Sequence, residues 1–173
     1  MDFKEKIRNI PDFPKKGIVY FDITTLLKDK DALRESVKQL AERYKDKKVD
    51  LVVGTESRGF IFGAALALEL GAGFVPARKP GKLPAATIKR EYELEYGKDA
   101  VEIHKDAIQQ GQNVVIVDDL VATGGTIKAT AELVKELGGN IIELAFLIEL
   151  SFLNPRKKLD GYNIYSLIQY NSE

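Results

Sequence analysis

The stretch V-V-I-V-D-D-L-V-A-T-G-G-T, residues 114–126, decides the fold. Val114, Val115, Ile116 and Val117 form a β-branched run of the kind found in a buried strand. Asp118 and Asp119 stand at its C-terminal end, followed by the small-residue loop Ala122-Thr123-Gly124-Gly125-Thr126. From Ile127 to Leu137 the apolar spacing becomes helical. A helix start leaves backbone N–H groups unpaired, and its dipole end favours an anion. Gly124 and Gly125 let the backbone approach a phosphate, and Thr123 and Thr126 add hydroxyl donors. The two carboxylates carry the wrong sign for that phosphate. They suit the hydroxyls of a ribose, or water molecules around a magnesium ion. A phosphate cradle beside a diol-binding acid pair implies a 5-phosphoribosyl group. The loop has neither G-x-x-x-x-G-K-[ST] nor G-x-G-x-x-G, which disfavours a P-loop nucleotidase and a dinucleotide-binding domain.

Working outward, residues 2–9 are spaced as a short amphipathic helix with Phe3, Ile7 and Ile10 on the packed side, ended by Pro11, Pro14 and Gly17. Residues 17–23 are apolar but lie outside any long helix. Asp29 to Asp46 carries Leu33, Val37, Leu40, Ala41 and Tyr44 at helical spacing. Val49 to Val53 reads as a strand, Phe60 to Leu70 as a buried helix closed by Gly71, and Phe74-Val75 as the start of another strand. Arg78 to Arg90 is basic and broken by K-P-G-K-L-P, which no helix interior accommodates, so a loop or hairpin is predicted there. Gly97 to Ile103 leads to a turn at Gln110-Gly111. After the central motif come a long apolar strand, Ile141 to Leu150, a charged turn, Asn154 to Lys158, and a last strand, Tyr162 to Ile168. Strands alternating with helices predict an α/β protein whose parallel sheet is covered on both faces. One domain over residues 1–173 is expected.

Composition narrows the function classes. The chain has 26 basic and 26 acidic residues and no cysteine. Balanced charge argues against a nucleic-acid partner, and the lack of thiols excludes disulfide and thiolate chemistry. The start M-D-F-K-E-K-I-R has no apolar core of the signal-peptide kind, and no apolar run approaches the roughly 18 residues of a membrane span. A cytoplasmic protein without a membrane partner is expected. His104, the single histidine, reads as a surface residue before Lys105-Asp106, so neither a histidine triad nor a histidine-rich metal site is available.

Ligands of parallel sheets sit beyond the carboxyl ends of the strands. Two further strand ends suit anions: G-T-E-S-R-G, residues 54–59, where loop N–H groups would join the guanidinium of Arg58, and A-R-K-P-G-K, where Arg78, Lys79 and Lys82 cluster. Three phosphate-compatible segments are most simply explained by a substrate with phosphates at both ends. The segment E-Y-E-L-E-Y-G holds Glu91, Glu93 and Glu95 in an alternating arm, and spacing alone does not choose among these acids.

Taken together, these segments resemble the type I phosphoribosyltransferases, and within them the adenine-using branch. The resemblance rests on residues 114–126 and on P-D-F-P-K-K-G-I (11–18), E-S-R-G-F-I-F-G (56–63), R-K-P-G-K-L-P (78–84), L-E-Y-G (94–97) and I-E-L-S-F-L (148–153). It implies the fold of that family, a central, mostly parallel sheet flanked by helices with a flexible hood at about residues 80–97. It implies transfer of the 5-phosphoribosyl group from 5-phosphoribosyl 1-diphosphate to adenine, giving AMP and diphosphate with Mg²⁺, by a cytoplasmic homodimer. Asp118 and Asp119 would hold the ribose, with Mg²⁺ held nearby mainly by substrate and water, and Ala122, Thr123, Gly124, Gly125 and Thr126 would hold the 5'-phosphate. Glu56, Ser57 and Arg58 would form a diphosphate loop, often with a cis non-proline peptide. Arg78, Lys79 and Lys82 would contact the diphosphate, Arg78 from the neighbouring subunit. Glu95 would meet the N7 side of the purine, and Glu95 and Arg58 are the expected catalytic residues. Leu120 would pack on one face of adenine, with Val19 to Phe21 on the other. Where many relatives read F-R-D-I, this chain reads Y-F-D-I (20–23), so Phe21 replaces an arginine that often lies beside the base.

Two alternatives differ in what they predict. A related enzyme for hypoxanthine, guanine, xanthine or orotate would share residues 114–126 but differ in the hood and base pocket. A purine-responsive regulator on the same fold would carry a basic surface or an added domain, which 173 charge-balanced residues do not suggest.

Overall fold

The computed structural model describes residues 1–94 and 97–172. At the N-terminus a short strand, β1 (Arg8–Ile10), pairs antiparallel with β2 (Tyr20–Asp22). A single helical turn, α1 (Thr24–Leu27), precedes α2 (Lys30–Glu42). Asp29 caps α2, its carboxylate accepting from the Asp31 and Ala32 N–H groups at 3.1 Å each. Then β3 (Leu51–Thr55), α3 (Gly59–Leu70) and β4 (Gly73–Ala77) begin the main sheet's alternating pattern. The hairpin β5 (Thr87–Glu93) and β6 (Lys98–His104) follows. After it come β7 (Asn113–Val121), α4 (Gly125–Glu136), β8 (Asn140–Leu150), the single turn α5 (Pro155–Lys158) and β9 (Ile164–Tyr170).

Five strands make one parallel sheet in the order β4-β3-β7-β8-β9. Its apolar strands bury both faces, and period-two alternation sorts their side chains between two cores. Val115 and Val117 join Leu40, Tyr44, Phe62 and Leu66 beneath α2 and α3. Val114 and Ile116 join Ile127, Leu133, Val101 and Ile103 beneath α4 and the hairpin. Pro76 is tolerated in β4 because that strand is at the sheet edge. Helix α3 is apolar all round, yet only one side is covered: Phe62 and Leu66 are buried, whereas Leu68 is 84% exposed.

Two local expectations change. Residues 2–9 do not form a helix; they make a 3₁₀ turn at Lys4–Lys6 and then β1. Phe3 and Ile7 are buried as the spacing predicts, but pairing with β2 and the Arg8–Asp22 ion pair, with Nε 2.9 Å from Oδ2, favour an extended chain over a short helix. The segment after the expected hood, Lys98–His104, pairs with Thr87–Glu93. Its inward residues Ala100, Val101 and Ile103 are buried. The charged turn at 154–158 closes into α5, with Pro155 at the first helical position.

Candidate active site

The carboxyl ends of β3, β4 and β7 meet at one edge of the sheet, and the predicted anion segments leave from them. Strand β7 extends through both acids to Val121, and its chain then turns at Gly124, where φ is +84°, into α4. No side chain caps that helix start, so its first N–H groups are available to an anion. Residues 120–127 and Asp118 line a cavity of about 140 Å³ there. Leu159, carried just beyond α5, supports the loop from below: a Cβ on Gly124 would lie 3.1 Å from its Cγ.

Asp119 is 4% exposed, and Arg58 Nε lies 2.9 Å from its Oδ2. The same guanidinium donates to the Tyr20 hydroxyl and lies 5.4 Å from that ring centroid. Arg58 thus ties together the loop after β3, the acids of β7 and the segment Val19 to Phe21. Asp118 Oδ1 accepts from the Asp119 N–H at 2.8 Å. Burial and then the charge of Asp119 push the Asp118 carboxyl well above the usual carboxylate range. Burial also raises Asp119, opposed by Arg58. Two crowded acids favour hydroxyl donors or a cation. Among the described residues no three acidic or histidine side chains converge on a metal position. This donor set would suit a magnesium ion carried mostly by phosphate oxygens and water, to which Asp118 and Asp119 would supply acceptors.

The second loop holds the Glu56–Ser57 peptide in the cis form. Ser57 is exposed at its tip. Glu56 faces cations of its own chain: its Oε2 is 3.2 Å from Arg78 Nε and accepts from the Lys79 N–H at 2.9 Å. Its carboxylate therefore fastens the basic loop to residues 56–58. Lys79 Nζ is paired with Asp99 and lies 3.2 Å from the Tyr92 hydroxyl, while Lys82 is exposed. Asp99, Tyr92 and Tyr20 were not marked by the sequence pattern. The only signal for them was proximity to marked segments.

The residues expected at the base divide. Val19 and Leu120 are half-buried. The Phe21 ring packs on Tyr170 at a centroid distance of 4.2 Å and is 4% exposed, so that position offers the site its backbone rather than its ring. Glu95 lies outside the described residues, whereas Glu91 and Glu93 are exposed on β5. Tyr92, between them, leans on the phosphate loop: a Cβ on Gly125 would lie 3.3 Å from its Cδ2.

The parallel sheet and its anion-binding rim define a phosphoribosyl transferase domain, and the family model of that description matches residues 22–169. Adenine phosphoribosyltransferase of Clostridium perfringens is 61% identical over 171 residues, 99% of each chain. That of Thermotoga neapolitana is 59% identical over 170 residues, covering 98% of this chain and 100% of the relative. The solved structure of adenine phosphoribosyltransferase from Thermoanaerobacter pseudethanolicus superposes with a TM-score of 0.95 at 60% identity, covering 98% of each chain. The Giardia lamblia enzyme, solved with 9-deazaadenine, gives 0.93 at 37% identity over 99% of this chain and 97% of that one. The chain belongs to the phosphoribosyltransferase family, in its adenine phosphoribosyltransferase branch.

Proposed function

We propose that this protein, as one domain, transfers the 5-phosphoribosyl group from 5-phosphoribosyl 1-diphosphate to adenine, releasing AMP and diphosphate. The observation that carries the site assignment is the Arg58–Asp119 contact of 2.9 Å, which sets a cationic loop against the acid pair beside an uncapped helix start. The 5'-phosphate is held by Ala122 to Thr126 and the ribose hydroxyls by Asp118 and Asp119. The diphosphate lies toward Ser57, Arg58, Lys79 and Lys82, with Glu56 holding the basic loop in place and Arg78 supplied from the neighbouring subunit. Leu120 and the Val19 to Phe21 backbone border the base, and Glu95 meets its N7 side.

The bond from C1 to the diphosphate oxygen breaks as the bond from N9 of adenine forms, with inversion at C1 and loss of the N9 proton. The sugar passes through an oxocarbenium-like state. Fixed positive charge beside the departing diphosphate stabilises charge that grows in that state. Magnesium, when bound, supplies further charge neutralisation to the diphosphate. The acid pair orients the ribose, and the hood excludes water that would intercept the sugar. A homodimer in which Arg78 serves the neighbouring site agrees with the exposed apolar side of α3, where Ile61 and Leu68 face outward. No described helix is long and apolar enough to cross a membrane, and the proposed setting is the cytoplasm. The test is a base panel with 5-phosphoribosyl 1-diphosphate and Mg²⁺, following diphosphate release. Adenine should be the preferred substrate; equal rates with hypoxanthine or guanine would overturn the assignment.

A further inference from the structure

Thr55 closes β3 and is 1% exposed. Its Oγ1 has no hydrogen-bond partner among the described residues. An unpaired buried hydroxyl is uncommon in folded proteins and calls for a reason. The nearest reason is Asp118. Gly59, the first residue of α3, sits between the two: a Cβ built on it would lie 2.9 Å from Thr55 Oγ1 and 2.7 Å from Asp118 Oδ1. Both oxygens therefore border one narrow gap, which any larger residue at 59 would fill. A hydroxyl in that gap favours the ionised form of Asp118, against burial and the Asp119 charge. Asp119 already faces Arg58. Asp118 accepts one hydrogen bond among the described residues, from the Asp119 N–H.

We propose that Thr55 is a positioning residue: its buried hydroxyl donates to Asp118 across the gap kept open by Gly59 and fixes the orientation in which that carboxylate meets the ribose. This rests on the assignment of Asp118 to the ribose. Valine has nearly the shape of threonine without its donor, and serine keeps the donor without the methyl. Titration calorimetry with AMP, without added metal, reads the ribose contact apart from turnover. Thr55→Val should weaken AMP binding about fivefold, within the range of a hydrogen bond to a charged group. Thr55→Ser should recover affinity to within about twofold. In an Asp118→Asn background Thr55→Val should have no further effect, as a double-mutant cycle requires of coupled groups. Wild-type AMP affinity in Thr55→Val, with Asp118→Asn weakened, overturns the role of Thr55 alone. Unchanged affinity in Asp118→Asn overturns the ribose assignment and the inference with it. A full fivefold loss persisting in the Asp118→Asn background means the hydroxyl acts independently of Asp118, which also sinks the proposal.

Discussion

The acid pair and phosphate loop are built on the central sheet, whereas the hood stands beside it as a two-stranded ribbon. Asp119 and Thr55 are buried between strands that each have neighbours on both sides. Among the described residues the hood's two strands pair only with each other, apart from a bridge between Arg78 and Glu102. A lone two-stranded ribbon has marginal stability in water. This one borrows stability through Val101 and Ile103 in the core, and through half-exposed ion pairs from Arg90 to Glu136, 2.7 Å, and Glu132, 3.5 Å, on α4. The proposed sugar-phosphate side is thus preorganised by packing. The proposed hood adds to its buried residues ion pairs that water can replace cheaply.

The largest expected effect lies on the rigid side. Changing Asp118 and Asp119 together to Asn should weaken 5-phosphoribosyl 1-diphosphate binding about 10³-fold, two charge-assisted hydrogen bonds at about 2 kcal/mol each. Calorimetry checks this, and undiminished affinity would break the contrast at its centre. Asp118→Asn alone should also raise the thermal midpoint at neutral pH. Folding raises this carboxyl's pKa. Above its unfolded value of about 3.9 the charge therefore opposes folding, and removing it relieves that opposition. A lowered midpoint would contradict the burial argument.

On the hood, Glu95→Gln should lower turnover about 10²-fold, the low end for acid–base groups, while leaving sugar-diphosphate affinity nearly intact. Glu91→Gln and Glu93→Gln, on exposed positions, should stay within about twofold of wild type. Steady-state kinetics on the three variants, beside separate binding measurements, discriminate among the acids. If Glu95→Gln turns over normally, the base is read elsewhere.

One substitution made in both regions sharpens the comparison further. Alanine at Gly59 would place a Cβ 3.1 Å from the Val117 carbonyl as well as against Asp118, so sugar-diphosphate affinity should fall about tenfold and stability by about 1–3 kcal/mol. Gly81 has φ +78°, and a Cβ built there would meet no described atom within 4 Å. Alanine there should cost only backbone strain, about 1 kcal/mol, with affinity unchanged. Denaturant melts and calorimetry on both should show the asymmetry, and similar losses would erase it.

The smallest effect concerns the hood's fastening. Arg90→Ala should raise the adenine KM about threefold, since exposed ion pairs contribute at most about 1 kcal/mol each. Hydrogen exchange should speed in β5 and β6 and stay slow in β7. Equal acceleration in β7 would mean that hood and sheet open as one unit.

What the sequence determined by itself is whatever near neighbours in the chain can decide. The apolar run of β7, its two acids and the Gly/Thr loop are local patterns, and their periods and chemistry identify strand and helix start. Even the hairpin was partly legible, because K-P-G-K-L-P excludes a helix, although the partner strand β6 was not. Tertiary structure decided the contacts between distant segments. It turned residues 8–10 into a strand, because β2 offered a partner and Asp22 an ion pair. It put the Phe21 ring into the core on Tyr170 and made Glu56 a holder of Arg78 and Lys79. It brought Arg58 to Asp119, and set Thr55 and Asp118 on either side of Gly59. Those pairs depend on β3 lying next to β7, and strand order is set by how whole faces bury against one another, which no spacing within a single segment records.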